Sequence, residues 1–265
     1  METVELYCKR FGETGPQLMI LHGLFGAGRN WYTFAQRFAD EFRVYVPDLR
    51  GHGESPKAIP LDYPHLAADV ATLLVREGIE SAAFVGHSMG GKVAMMLALT
   101  RPEVVNKLVV VDIAPVQYTH NFDRVIEALK SLPLDRITSR READEWLAPQ
   151  IENPAVRQFL LQNLVSDNDR YHWRIDLNLL ASALPAITGF PLGPEMRPFP
   201  GPTLFVGGGL SEYLKPQYHQ AIRALFPNAR IKTIEHAGHW VHIDQPDCFE
   251  ATVRCFLRGQ EGCLG

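Results

Sequence analysis

Residues 81–100 read SAAFVGHSMGGKVAMMLALT, and a strand, a turn and a helix can be traced along them in that order. Ser81 through Val85 form a short apolar run of the kind that makes a buried strand. Gly86-His87-Ser88-Met89-Gly90 is a G-x-S-x-G turn, and Met89 through Thr100 read as a helix. That setting gives the pentapeptide chemical meaning, because a sharp strand-to-helix turn strains its central residue and holds the Ser88 hydroxyl out from the chain. Gly86 and Gly90 remove the β-carbons that would collide where the chain doubles back. Gly91 is expected to relieve packing against a neighbouring strand. The helix that follows directs its dipole and free N–H groups at charge forming beside Ser88.

The same alternation extends in both directions. QLMILHG, FRVYVPD, NKLVVVDIAP, GPTLFVGGG and RIKTIEHAGH read as further buried strands, with helices near 29–41, 62–77, 214–226 and 246–258. Strands alternating with helices predict an α/β fold, with parallel strands joined by right-handed crossovers and helices on both faces. Reacting groups then gather at the carboxyl ends of the strands. The rhythm breaks between about 117 and 198. There HNFDRVIEALKSL, SRREADEWLAPQ, PAVRQFLLQNLV and DLNLLASALPAI carry helical spacing and no strong strand is visible. This predicts a helical cap over 117–198, set into a core made of 1–116 and 199–265. Long insertions in compact domains are usually functional.

A serine hydroxyl needs a base. His239, in HAGHWVHIDQP, follows the last predicted strand and precedes the last helix, so a loop can carry it to Ser88. Two carboxylates compete to orient it. Asp112 ends the strand KLVVVDIAP directly after the nucleophile unit. Glu212, in LFVGGGLSEYL, follows the next strand, which is the commoner location for this acid. An orienting carboxylate must be constrained, which favours Asp112, with Glu212 as the alternative. His236, His239 and His242 recur every third residue, but Gly238 argues against a helix aligning them and no carboxylate or cysteine completes a set. No metal is expected.

His22-Gly23-Leu24-Phe25-Gly26 follows the strand QLMIL and predicts an oxyanion hole made by the backbone N–H groups of Leu24 and Met89. His22 is expected to hydrogen-bond within that loop. Phe25 and Trp31 are candidates for the pocket wall, together with Phe122, Trp146 and Trp173 of the insertion and Trp240 beside His239. Asp48-Leu49-Arg50-Gly51-His52-Gly53-Glu54-Ser55 is read as a structural turn.

Composition narrows the partners. A formal net charge of −4 over 265 residues gives no broad attraction to nucleic acid or anionic lipid, which favours a small-molecule substrate. The cysteines Cys8, Cys248, Cys255 and Cys263 form no C-x-x-C pair and are expected to be reduced thiols. The opening METVELYCKRFGETG shows no signal peptide, and no apolar run reaches membrane-spanning length. These features predict a cytoplasmic protein. Oligomeric state is not legible.

Together HGLFG, DLRGHGESP, GHSMGGK, VVVDIAPV and AGHWVHIDQP resemble the α/β-hydrolase superfamily esterases. Within them the chain looks like the YbfF-type bacterial esterases and their relatives of the mammalian ABHD eleven type. The resemblance runs through nearly all of the chain and implies the α/β-hydrolase fold, cofactor-free ester hydrolysis, and acyl thioesters as a further substrate class. It also implies that the acid follows the strand after the nucleophile helix, which matches Asp112. Gly51 departs from the Asn common in relatives, which puts no catalytic residue in doubt. Perhydrolases, C–C bond hydrolases and ligand sensors that retain a triad share these motifs and stay open.

Overall fold

The computed structural model describes residues 1–119, 122–168 and 170–260. His120 and Asn121, which begin the first predicted cap helix, lie outside the described residues, as does Cys263. The main sheet has seven strands: β1 (Cys8–Phe11), β2 (Gln17–Leu21), β3 (Arg43–Pro47), β4 (Ala82–His87), β5 (Val105–Val111), β8 (Thr203–Gly208) and β9 (Ala229–Ile234). Their spatial order is β1-β3-β2-β4-β5-β8-β9. Only β1 runs antiparallel, pairing with β3 at the edge. The sequence does not predict it, because CKRF is short, has the adjacent cations Lys9 and Arg10 at its centre, and carries no apolar run.

Strand residues alternate between two cores, as the two-residue period of a strand requires. Met19, Leu21, Phe84, Leu108 and Val110 face a cluster with α2 (Tyr63–Arg76) and α3 (Met89–Thr100). Leu18, Ile20, Val85, Val109 and Val111 face one with α1 (Tyr32–Phe38) and α10 (Pro246–Arg258). Helices therefore cover both faces. The helix ends follow their local sequence. Asp62 caps α2 by accepting from the His65 N–H at 3.0 Å, and Gly259 at φ 71 ends α10.

Between β5 and β8 lie α4 (Phe122–Lys130), α5 (Arg140–Leu147), α6 (Pro154–Leu161) and α7 (Leu177–Thr188). The insertion is not purely helical. β6 (Leu164–Asp167) and β7 (Arg170–Trp173) pair antiparallel where the spacing at the end of PAVRQFLLQNLV predicts helix. Four-residue strands give too little alternation to register as a pattern. The remaining helices are α8 (His219–Leu225) and the single turn α9 (Val241–Asp244). No helix among the described residues is long and apolar enough to cross a membrane.

Lys92 ties the insertion to the core. Its side chain is 1% exposed and points from α3 at the insertion's two ends. Nζ donates to the carbonyls of Val116 (2.9 Å), Thr188 (3.0 Å) and Gly189 (2.6 Å). The rings of Tyr118 and Tyr63 lie 4.9 and 5.7 Å from it. Three acceptors and two aromatic faces suit an ammonium. Burial works in the other direction and pushes its pKa down to about 7.

Candidate active site

Ser88 stands between β4 and α3 at φ 52, ψ −118, a conformation that costs a non-glycine residue energy and that the surroundings must enforce. A β-carbon on Gly86 would strike the Gly90 carbonyl, and one on Gly90 would strike that of Leu21. The turn accordingly closes only with glycine at both places. A β-carbon on Gly91 would meet Ile113 Cγ2 at 2.8 Å, the predicted packing relief.

Asp112 directly follows β5 and is 0% exposed, at φ 51. Its carboxylate receives three donors: Gly208 N–H on Oδ1 at 3.0 Å, and Ser211 Oγ–H (2.5 Å) and His239 Nδ1–H (2.7 Å) on Oδ2. Facing a carboxylate, Nδ1 is the donating nitrogen, which in the neutral ring makes Nε2 the accepting one. Its ring also stacks on Tyr213 with centroids 4.2 Å apart. His87, the neighbour of Ser88, donates from Nε2 to the His239 carbonyl at 2.9 Å and so fastens the histidine loop to the turn that bears the serine. Ser88 and His239 share no hydrogen bond in this structure, and in unliganded hydrolases that bond is often long.

Glu212 does not reach this group. Its side chain is 84% exposed and pairs with Lys215 at 2.8 Å. The residue before it, Ser211, is the one that turns inward onto Asp112. Sequence reasoning missed Ser211 because a lone serine in a glycine-rich loop carries no pattern.

The loop after β2 is fixed by buried histidines. His22 accepts from the Leu49 N–H on Nε2 (2.9 Å) and donates from Nδ1 to the Gly23 carbonyl (2.8 Å), the expected loop bond. His52 accepts from the Phe25 N–H on Nε2 (3.3 Å) and donates from Nδ1 to the Arg50 carbonyl (3.0 Å). The Phe25 N–H is thereby used, whereas those of Leu24 and Met89 have no acceptor among the described residues. The turn beside them is structural, as expected. Asp48 accepts from the N–H groups of Gly28 (2.6 Å) and Glu54 (2.8 Å), and Arg50 pairs with buried Asp69 at 2.7 Å.

Burial lowers the pKa of His22 to about 4 and of His52 to about 3, and His242, packed against the rings of Trp31 and His87, also drops to about 3. An unfolded chain takes up these protons near pH 6.5, while the folded chain resists until pH 3–4. Their contribution to stability is therefore complete above pH 6.5 and is lost on acidification, at about 1.4 kcal/mol per pH unit for each proton not bound. Thermal midpoints should fall steadily from pH 6.5 to 4.5, and His52→Asn should flatten that slope. A midpoint independent of pH over this range would contradict the assignment.

The pocket candidates divide. Phe25 is buried, with its ring 6.1 Å from that of Phe122 in an edge contact. Trp240 lies beside His239 and packs on Phe159 at 5.2 Å. Trp173 is partly buried, and its indole N–H has no partner among the described residues. Two candidates are corrected. Trp31 belongs to the core beneath the opposite face, stacked on His242 at 4.0 Å and packed near Phe249. Trp146 is 49% exposed on the outside of the insertion, beside Ser131, because its position on α5 faces away from the core. No group of three or more His, Cys, Asp or Glu suited to a metal occurs among the described residues, and His236 is exposed. Cys8 and Cys248 are free thiols, and the buried Cys255 Sγ donates to the Gln260 carbonyl at 2.7 Å.

A sheet of this order, with a strained serine elbow and a histidine–aspartate pair at its carboxyl edge, defines a class of proteins. The chain belongs to the alpha/beta hydrolase fold family, whose model matches residues 16–246. It is 42% identical over 252 residues to the sn-1-specific diacylglycerol lipase ABHD11 of Mus musculus, covering 92% of this chain and 81% of that protein. It is 34% identical over 241 residues to esterase YbfF of Escherichia coli K12, covering 91% and 92%. A solved marine microorganism esterase superposes with a TM-score of 0.92 at 36% identity, covering 96% of this chain and all of that one. Carboxylic-ester hydrolysis fits these relatives.

Proposed function

We propose that this chain hydrolyses carboxylic esters by acyl transfer through Ser88. The observation that carries the reading is the 2.7 Å bond from His239 Nδ1 to the buried Asp112 carboxylate, at the same sheet edge as the strained Ser88 turn. His239 Nε2 takes the Ser88 proton as Oγ attacks the ester carbonyl. Asp112 steadies the imidazolium, and the Leu24 and Met89 N–H groups receive the oxyanion. The tetrahedral species collapses with transfer of the His239 proton to the departing alcohol. Water then attacks the acyl-enzyme, His239 again acts as base, and the carboxylic acid leaves Ser88 free.

In this reading residues 117–198 are the cap, 1–116 and 199–265 the catalytic core, and Phe25, Phe122, Trp173 and Trp240 wall an apolar pocket. The scheme calls for no cofactor. An organophosphonate with a reporter group tests it: mass spectrometry should find one adduct, on Ser88, formed at a rate that falls when a hydrolysable short-chain ester competes. A panel of acyl esters and acyl thioesters then gives the preferred leaving group. An adduct elsewhere, or no turnover of any ester or thioester, would overturn the reading.

A further inference from the structure

Gly23 through Gly26 form a four-residue turn closed by the Gly26 N–H to Gly23 carbonyl bond at 3.0 Å. Phe25 occupies its third position at φ 61, a value that favours glycine there. Something must hold a phenylalanine in that state. One grip comes from the core, through the Phe25 N–H to His52. The other comes from 138 residues away, where Asn163 Nδ2 donates to the Phe25 carbonyl at 2.7 Å. The two peptide planes flanking the Phe25 α-carbon are therefore each fixed, one by the core and one by the insertion.

Asn163 is 1% exposed and follows α6, the helix whose Phe159 packs on Trp240 beside His239. Both Nδ2 hydrogens are committed to carbonyls, those of Phe25 and, at 3.3 Å, Leu160. Oδ1 is left buried with no partner among the described residues. Turning the amide over would put oxygen against two carbonyls, so the orientation is set by what Nδ2 must hold. A residue serving packing alone has no reason to leave a buried acceptor unmet. The contact is reinforced next door. Arg29 Nη2 donates to the Gln162 carbonyl at 2.6 Å, and Asn30 Nδ2 to Gln162 Oε1 at 2.5 Å. Residues 162–163 thus grip the segment 25–30 at three points.

We propose that Asn163 is a positioning residue, through which the insertion sets the turn that aims the Leu24 N–H at the oxyanion. The inference rests on the catalytic reading above. Without the Asn163 grip the Phe25 peptide relaxes away from its unfavourable φ, and the Leu24 donor moves with it. The substrate carbonyl gains its strongest bonds only as charge develops, so the loss falls on the transition state and not on substrate binding.

Asn163→Ala and Asn163→Asp test this, the second placing an acceptor against the Phe25 carbonyl. With a short-chain ester, and with active sites counted by phosphonate titration, kcat should fall about tenfold to a hundredfold, the scale of a misplaced catalytic group. KM should change less than about threefold, because ground-state binding is spared. Affinity for an alkyl boronic acid, which becomes tetrahedral on Ser88, should fall by the same factor as kcat/KM. Amide hydrogen exchange over 22–26 should quicken while exchange in β4 and β5 stays as in the wild type. A kcat per titrated site within twofold of wild type, or unchanged exchange over 22–26, overturns the proposal. If the wild-type protein turns over no ester the catalytic reading fails, and the exchange measurement alone still decides whether Asn163 holds the turn.

Discussion

Ser88→Ala is expected to lower kcat/KM for an activated ester by about four to six orders of magnitude and to leave the thermal midpoint nearly unchanged. Removing the nucleophile from a serine triad leaves only the contribution of binding and the oxyanion donors, a residue of about 10³–10⁴ over water. The fold should tolerate the change, since Ser88 Oγ supports no other group by hydrogen bond among the described residues. Alanine is also smaller, and the φ of 52 at this position is imposed by the passage of Gly86 and Gly90 against their neighbours. Ester turnover by the purified variant, with near-ultraviolet circular dichroism for packing, checks both halves. Activity within tenfold of wild type would remove Ser88 from the mechanism.

Asp112→Asn should cost about 10³–10⁴ in kcat at neutral pH, nearly as much, through a different physical step. The side chain keeps its volume, and asparagine tolerates the positive φ of 51 at this site. Oδ1 can still accept from Gly208, so the backbone should stay in place. The Nδ2 group, however, would face His239 Nδ1 and donate to it. His239 would then carry its proton on Nε2 and could not take one from Ser88. The parallel variant Glu212→Gln should retain activity within about twofold, because that carboxylate is solvent-exposed and paired with Lys215. Reversed results in this pair would transfer the orienting role to Glu212.

Much of the candidate site was legible because its signals are short-range. Gly86-His87-Ser88-Met89-Gly90 needs only its own five residues and the elements beside them. The loop His22–Gly26 is likewise defined by the strand before it. Asp112 and His239 were legible by position, at the ends of strands that a parallel sheet must bring to one edge. The choice between Asp112 and Glu212 was not, because it depends on which way each side chain leaves its loop. Ser211, 99 residues from Asp112, turns in, and its neighbour Glu212 turns out. Trp31 and Trp146 failed for a similar reason: an aromatic residue reads as pocket, core or surface only once the face of its helix is known.

Lys92 and Asn163 mark the limit from the other side. Lys92 lies within α3 and Asn163 just beyond α6, and the contacts that define them include carbonyls far along the chain, those of Gly189 and Phe25. No periodicity encodes such a partner. What the chain's linear order determined is the class of fold and the chemistry on offer, since strand alternation, glycine spacing and the elbow are properties of neighbouring residues. What tertiary structure alone decided is the assembly: which carboxylate meets His239, which N–H groups of the two turns have no acceptor among the described residues, and how the insertion grips the turn at Phe25. Those depend on contacts between segments far apart along the chain, up to 138 residues for Phe25 and Asn163, where the packing of whole elements, not local preference, sets the distance.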